Sequence, residues 1–329
     1  MIITRTPLRI GLLGGGTDFP DYYREHGGRV LNCALDKYVY VIVKQRFDDD
    51  IYVNYSKKEI VSRVEDLEHE LVREALKITG VSSGVEITTL ADIPSAGSGL
   101  GSSSAVSVGL LHALFTYQGQ QVSATQLAEL ACMIEIDRCG KPIGKQDQYI
   151  AAMGGIRDIR FGPGDQVIAE DLGLSATQRR LLQQQMMLFY TGITRSANPI
   201  LAEQTANIKA SKDQLDLLRK LAGYAVDRLR SGDIDAVGTA MREGWEAKRQ
   251  LASGVSNQRI DSMVSRALDA GAAGAKLTGA GGGGFLLVIC PVERQYAVRQ
   301  SLADMRELPV QLDPLGSRVV LNVLRDIWG

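Results

Sequence analysis

Residues 94–105 read Pro94-Ser-Ala-Gly-Ser-Gly-Leu-Gly-Ser-Ser-Ser-Ala105, between a strand-like run at 85–89 and an apolar helical run that begins at 103. Gly97, Gly99 and Gly101 let backbone approach a ligand closely, and the N-terminus of the following helix offers unpaired N–H groups and a positive dipole. A triphosphate is expected here. Capping the helix would require one of Ser102, Ser103 and Ser104, so three in succession exceed what capping needs. Other phosphate signatures are absent: there is no G-x-x-x-x-G-K-[ST], no H-R-D and no D-F-G. The Gly97-x-Gly99-x-Gly101 spacing also departs from the dinucleotide fingerprint.

Glycine makes up 35 of the 329 residues, about 11% against a usual ~7%, and the excess is clustered. Gly14-Gly-Gly-Thr-Asp18 ends a strand-like run, where Asp18 could accept sugar hydroxyls, although taken alone the stretch reads better as a plain turn. Lys276-Leu-Thr-Gly-Ala-Gly-Gly-Gly-Gly-Phe285 joins two strand-like runs; four consecutive glycines carry a folding-entropy cost that a simple hairpin does not require. Two carboxylates stand out beside these clusters. Glu135 follows Leu127 and Ala131 on the apolar stripe of a helix expected over 124–139, so it needs a buried cation or donors. Asp147, in Gly144-Lys-Gln-Asp-Gln-Tyr149, opens a further helical turn, and taken alone it reads as a cap.

Around these motifs the pattern is that of a mixed α/β chain. Strands are expected at 9–13, 38–45, 51–55, 85–89, 156–161 and 167–171, with a helix at 67–79. A second half, richer in helix, follows a boundary within 173–185, giving domains of 1–178 and 179–329. Its expected elements are strands at 186–191, 275–277, 285–290 and 319–323 and helices at 198–210, 212–231, 234–250, 257–270 and 292–305. Lys+Arg number 37 and Asp+Glu 38, a net charge of −1, so no general field attracts nucleic acid or an anionic membrane. The four cysteines form no C-x-x-C pair and the three histidines stand apart, which argues against a disulfide framework or a zinc site. The apolar runs are too short to span a bilayer, and a cytoplasmic protein is expected. The oligomeric state is left open, a homodimer included.

Taken in order, the three glycine clusters with Glu135 and Asp147 resemble the GHMP small-molecule kinases over nearly the whole chain. The family's P-x-x-x-G-L-G-S-S-A motif is matched with one extra residue before Gly-Leu-Gly and with Ser104 in place of alanine. The resemblance implies an α+β, two-domain fold: an N-terminal domain like the second domain of ribosomal protein S5 and a ferredoxin-like C-terminal domain, with ATP in the cleft between them. It further implies that Pro94, Gly97, Gly99, Leu100, Gly101, Ser102, Ser103 and Ser104 bind the nucleotide. Ser103 and Glu135 match the family's Mg2+ ligands, Asp147 its catalytic base, and Arg9 the arginine of the opening motif. Gly15, Gly16, Thr17, Asp18, Lys145, Asp147, Arg195, Gly281 and Gly282 are the candidate substrate contacts. The opening segment is similar to the galactokinase signature, but Gly15-Gly16 replaces its Glu-His pair and opens space. That segment, together with 144–149 and 189–196, looks most like the branch that phosphorylates the anomeric hydroxyl of a heptose 7-phosphate. A fucokinase-like enzyme is the alternative; a non-catalytic sugar sensor and a mevalonate-branch decarboxylase fit less well.

Overall fold

The computed structural model describes residues 1–94 and 97–323, so Ser95 and Ala96 of the glycine-rich stretch lie outside the described residues. The N-terminal half is built on an eight-stranded sheet whose centre is the long strand Gly28–Gln45. One side of that strand pairs antiparallel with Ile2–Leu13. On the other, Val85–Ala91 pairs with its C-terminal part and Ile156–Phe161 with its N-terminal part. A single strand therefore carries two neighbours in series along one edge. Ile51–Asn54 lies parallel to Val85–Ala91, and helix Glu70–Thr79 occurs in the crossover between them, as a parallel pair requires.

Helix Ser102–Tyr117 packs beneath this sheet and is apolar nearly all round, which fits a buried element. Gly109 brings it close: a Cβ there would lie 3.0 Å from Thr6 Oγ1 and from Val41 Cγ2, and the Thr4 hydroxyl donates to the Gly109 carbonyl at 3.0 Å. Burying this helix fixes the glycine loop that precedes it.

In the C-terminal half, Arg306–Glu307, Met186–Tyr190, Phe285–Ile289 and Gly274–Leu277 form, in that order, an antiparallel sheet. The β-α-β-β-α-β chain order over that sheet is the ferredoxin-like arrangement expected from the resemblance. The two halves are not separate at their cores. Leu221, Val226, Leu229, Val237 and Met241 join the same apolar cluster as Leu8, Ile10 and Val41.

The structure corrects several expectations. Arg318–Asn322 pairs with Ile2–Arg5, so this strand lies in the N-terminal sheet rather than within a 179–329 domain. The division at 178 also falls inside helix Ala176–Gln185, which the sequence pattern did not predict. Helix Pro20–His26 and strand Lys58–Val61 went unpredicted too. Strand Gly28–Gln45 was predicted only from 38, because Asn32, Asp36 and Lys37 interrupt its apolar alternation. The four cysteines are free, and among the described residues no group of three metal-ligating His, Cys, Asp or Glu side chains occurs. No described helix is long and apolar enough to cross a membrane.

Candidate active site

A cleft of about 660 Å3 opens where the two halves meet, within the ~300–1,000 Å3 usual for small-molecule sites. One end is made by the glycine loop. Gly97, Gly99 and Gly101 all have positive φ, at 69°, 71° and 76°, a conformation in which glycine is unstrained. A Cβ on Gly99 would stand 2.7 Å from the Thr278 carbonyl oxygen, and one on Gly279 would stand 2.7 Å from Gly99 Cα. The second and third glycine clusters therefore lie backbone against backbone. Their glycines are needed for that approach as well as for any ligand.

The serines after the loop do not cap their helix. Gly101 occupies the N-cap position, and no side-chain cap bond is made. Ser103 Oγ donates to Glu135 Oε1, Ser104 Oγ donates to Glu135 Oε2 at 2.7 Å, and Gln148 Nε2 donates to the same oxygen at 2.7 Å. Glu135 is fully buried, as its place on the apolar stripe predicted. It sits on a π-helical turn, Met133–Arg138, that continues helix Ala124–Cys132 and closes through a Cys139 N–H to Ile134 carbonyl bond of 2.9 Å. Such widened turns recur at functional sites. Burial raises the Glu135 pKa, opposed by Lys141 and by the hydroxyl and amide donors. A hydroxyl and a carboxylate facing a nucleotide loop suit Mg2+, which takes few protein oxygens and completes its shell with phosphate oxygens and water.

At the middle of the cleft Arg9 and Asp147 form a bidentate pair, with Nε–Oδ1 and Nη2–Oδ2 distances both 2.6 Å. Arg9 Nη1 also donates to the Gly99 carbonyl at 2.6 Å, and the Arg9 backbone N–H donates to the Leu100 carbonyl at 2.9 Å. The pair is thereby tied directly to the glycine loop. Asp147 caps nothing, since helix Gln146–Met153 has no side-chain cap bond.

The other end holds Asp18, Gly15, Gln146 and Lys248. Asp18 is almost fully buried and accepts from the Gly16 N–H at 3.0 Å and the Gln146 N–H at 3.3 Å. Burial raises its pKa and the nearby Asp147 adds to the rise. A Cβ at Gly144 would collide with the Asp18 carboxylate, so glycine there is a packing requirement. Gly15 differs: its Cβ would meet only Lys248 Nζ at 3.4 Å and Gln146 Nε2 at 3.6 Å. Lys248 donates to the Gly279 carbonyl at 2.8 Å, and burial lowers its pKa to about 8.

Both halves of the chain that meet in this cleft are matched by family models. The model described as GHMP kinases N terminal domain matches residues 54–155, and the model described as GHMP kinases C terminal matches residues 225–307. The chain is a GHMP kinase. As members of that family do, it takes ATP as a substrate and acts on a small molecule. The kinase is 29% identical over 318 residues to D-glycero-alpha-D-manno-heptose 7-phosphate kinase of Campylobacter jejuni, covering 92% of this chain and 93% of that one. It is 28% identical over 337 residues to L-fucokinase/L-fucose-1-P guanylyltransferase of Bacteroides fragilis, with 90% of this chain but 35% of that protein covered. The crystal structure of a D-glycero-D-manno-heptose 1-phosphate kinase from Bacteriodes thetaiotaomicron superposes with a TM-score of 0.82 at 26% identity, covering 98% of this chain and 100% of that one.

Within the GHMP kinase cleft the structure gathers Arg9, Gly15, Gly16, Asp18, Gly97, Gly99, Gly101, Ser102–Ser104, Glu135, Asp147 and Arg195. It leaves several candidates outside. Lys145 turns away to pair with Asp165 at 3.2 Å, its ammonium 5.4 Å from the Tyr23 ring centroid. Thr17 spends its hydroxyl on the Gly14 and Arg29 carbonyls, at 2.8 and 2.9 Å, and so holds the turn. Gly281 and Gly282 fold onto the segment around Val255, whose carbonyl accepts the Gly282 N–H at 2.8 Å; Gly279 and Ala280 line the cleft instead. The Leu100 side chain is in the core and Pro94 lies outside the lining.

Sequence reasoning assigned no role to Lys248, Lys141, Gln146, Gln148 or Lys276. A signal for Lys248 was present: it continues the buried stripe of Ile234, Val237, Met241 and Trp245 along helix Ile234–Arg249. Lys276 donates to the Gly11 and Leu12 carbonyls at 2.8 and 3.0 Å, bracing the first glycine cluster from the C-terminal sheet.

Proposed function

We propose that this GHMP kinase transfers the γ-phosphoryl group of ATP to the anomeric C1 hydroxyl of D-glycero-D-manno-heptose 7-phosphate, in the cytoplasm. The observation that carries the reading is the Arg9–Asp147 pair, which links the glycine loop to the Asp18 end of the cleft. ATP with Mg2+ supplies the phosphoryl group and neutralises much of its charge. Ser103 and Glu135 hold the cation, and the backbone N–H groups at the start of helix Ser102–Tyr117 receive the phosphates. Asp147 accepts a hydrogen bond from the acceptor hydroxyl and takes its proton as the new O–P bond forms. Arg9, locked on both Asp147 oxygens, fixes the direction of the carboxylate. Because phosphoryl transfer passes through a loose transition state, positioning carries much of the effect.

At the acceptor end Asp18 takes hydrogen bonds from sugar hydroxyls, and the Lys248 ammonium donates to a sugar oxygen. Gly15 leaves the room that a longer sugar needs. Arg195, an exposed guanidinium lining the cleft, is the proposed ligand of the distal phosphate, since a guanidinium grips phosphate through two parallel bonds. The names of the two heptose-kinase relatives put the existing phosphate at opposite ends of the sugar. The test is ADP release with heptose 7-phosphate, heptose 1-phosphate, unphosphorylated heptose, galactose and L-fucose, followed by phosphorus NMR of the product. A bisphosphate formed only from the 7-phosphate supports the reading. Equal rates on heptose and its 7-phosphate remove the distal-phosphate site, and preference for fucose installs the fucokinase alternative.

A further inference from the structure

The Lys141 ammonium has no part in the chemistry described so far, yet it stands at the candidate metal ligands. Its Nζ is 3.1 Å from Ser103 Oγ, 3.8 Å from Glu135 Oε1 and 3.2 Å from Glu70 Oε1. The Lys141 backbone N–H donates to the Glu135 carbonyl at 2.9 Å, so the π-helical turn and the lysine are braced together. Glu135 is fully buried, and Ser103, Ser104 and Gln148 give it hydrogen bonds but no positive charge. Lys141 is the one cation within 4 Å of the Glu135 carboxylate among the described residues. A buried carboxylate without a counter-charge is costly, so this lysine serves as a monovalent cation at the edge of the site.

We propose that Lys141 is a nucleotide-binding residue that stands in for the divalent cation until it arrives and then serves as a ligand of the ATP phosphates. This rests on the reading of Ser103 and Glu135 as cation ligands. A dication held by those two groups repels the ammonium toward Glu70, whose half-exposed carboxylate already holds it from the other side. Both Lys141 and Glu70 line the cleft beside the start of helix Ser102–Tyr117, where the phosphates are received. An ammonium is a point charge with three rotatable donors, so it can exchange a carboxylate for a phosphoryl oxygen by side-chain rotation alone. With cation present, the phosphates then meet one divalent and one monovalent charge; without it, Lys141 alone partly replaces the metal.

The consequence is specific: Lys141 contributes most to nucleotide affinity when the metal is missing. The experiment is calorimetric binding of a non-hydrolysable ATP analogue to wild type, Lys141→Met, Lys141→Arg and Glu135→Gln, in EDTA and in excess Mg2+. Loss of one charge-assisted contact predicts roughly tenfold weaker binding of Lys141→Met in EDTA and a smaller loss in Mg2+, so the ratio of the two affinities widens. Lys141→Arg recovers most of the EDTA affinity. Equal losses in both media, or none, would overturn the proposal and leave Lys141 a structural partner of Glu135. The metal reading is checked separately by Glu135→Gln, which narrows the ratio if Glu135 holds the cation; an unchanged ratio there rejects that reading. Melting temperatures of all variants in the same buffers establish that each is folded.

Discussion

The two ends of the cleft are built in different ways. At the phosphate end, Gly97–Ser104 supplies loop, helix N-terminus and hydroxyls from one short stretch, to which Glu70, Glu135 and Lys141 are added from elsewhere. At the acceptor end, Asp18, Gly144, Gln146, Asp147 and Lys248 come from three separate segments, and the last belongs to the C-terminal half. A triphosphate is the same ligand in every kinase, so a local motif suffices to bind it. A sugar must be distinguished by where its hydroxyls lie, and only converging segments provide that. The first end is therefore expected to govern whether the enzyme turns over, and the second what it acts on.

The largest expected effect falls where the ends join. Asp147→Asn should lower kcat by about 10²–10⁴-fold, the usual range for a general base, while ATP affinity stays near that of wild type. Near-normal single-turnover rates would show that the pair only braces the loop.

Next comes Glu135→Gln, which separates activity from stability. The folded-state pKa of Glu135 is raised from 4.5 by burial, so the folded protein binds the proton more tightly than the unfolded chain. Stability is then lost as pH rises from about 4.5 through the raised value, and the carboxylate costs stability above it. The variant should lose turnover yet show a shallower fall in melting temperature across that window. A pH profile unchanged from wild type would mean that Lys141 and the neutral donors fully offset the burial.

Lys248→Met tests the acceptor end. It should raise KM for the sugar by roughly tenfold, as loss of one charge-assisted bond does, and leave KM for ATP almost unchanged. Since burial lowers the Lys248 pKa from 10.5 to about 8, wild-type kcat/KM for the sugar should decline above that pH as the ammonium loses its proton. The methionine variant should lack that limb. For stability the sign runs the other way from Glu135: the depressed pKa means that the buried ammonium costs stability below pH 8, a cost relieved as pH rises toward 10.5. Equal changes in both KM values would place Lys248 with the loops, through its Gly279 bond, rather than with the acceptor.

The smallest effect belongs to Lys145→Ala. Its ion pair with Asp165 lies partly exposed at the surface, where such pairs contribute about 0–1 kcal/mol. Kinetic constants for either substrate should not change. A raised KM for the sugar phosphate would mean that Lys145 swings into the cleft during binding.

Lys145 and Lys248 together mark what the sequence by itself determined. The three glycine clusters, the buried place of Glu135 and the alternation of strands and helices follow from local rules: positive φ favours glycine, and a carboxylate on an apolar stripe faces inward. Those rules identified the phosphate end and most of the elements around it. They chose Lys145 because it is two residues from Asp147, but a residue two along a helix points to another face, and Lys145 meets Asp165 instead. Lys248 lies 101 positions from Asp147 in the chain, and nothing local announces that its helix returns to the first glycine cluster. Packing of helix Ile234–Arg249 against the shared core brought it there, as pairing with Ile2–Arg5 brought back the strand at 318–322. Backbone conformation and burial periodicity are properties of neighbours in sequence and can be read from it; convergence of distant side chains depends on how whole elements pack, so the tertiary structure alone decided the acceptor end.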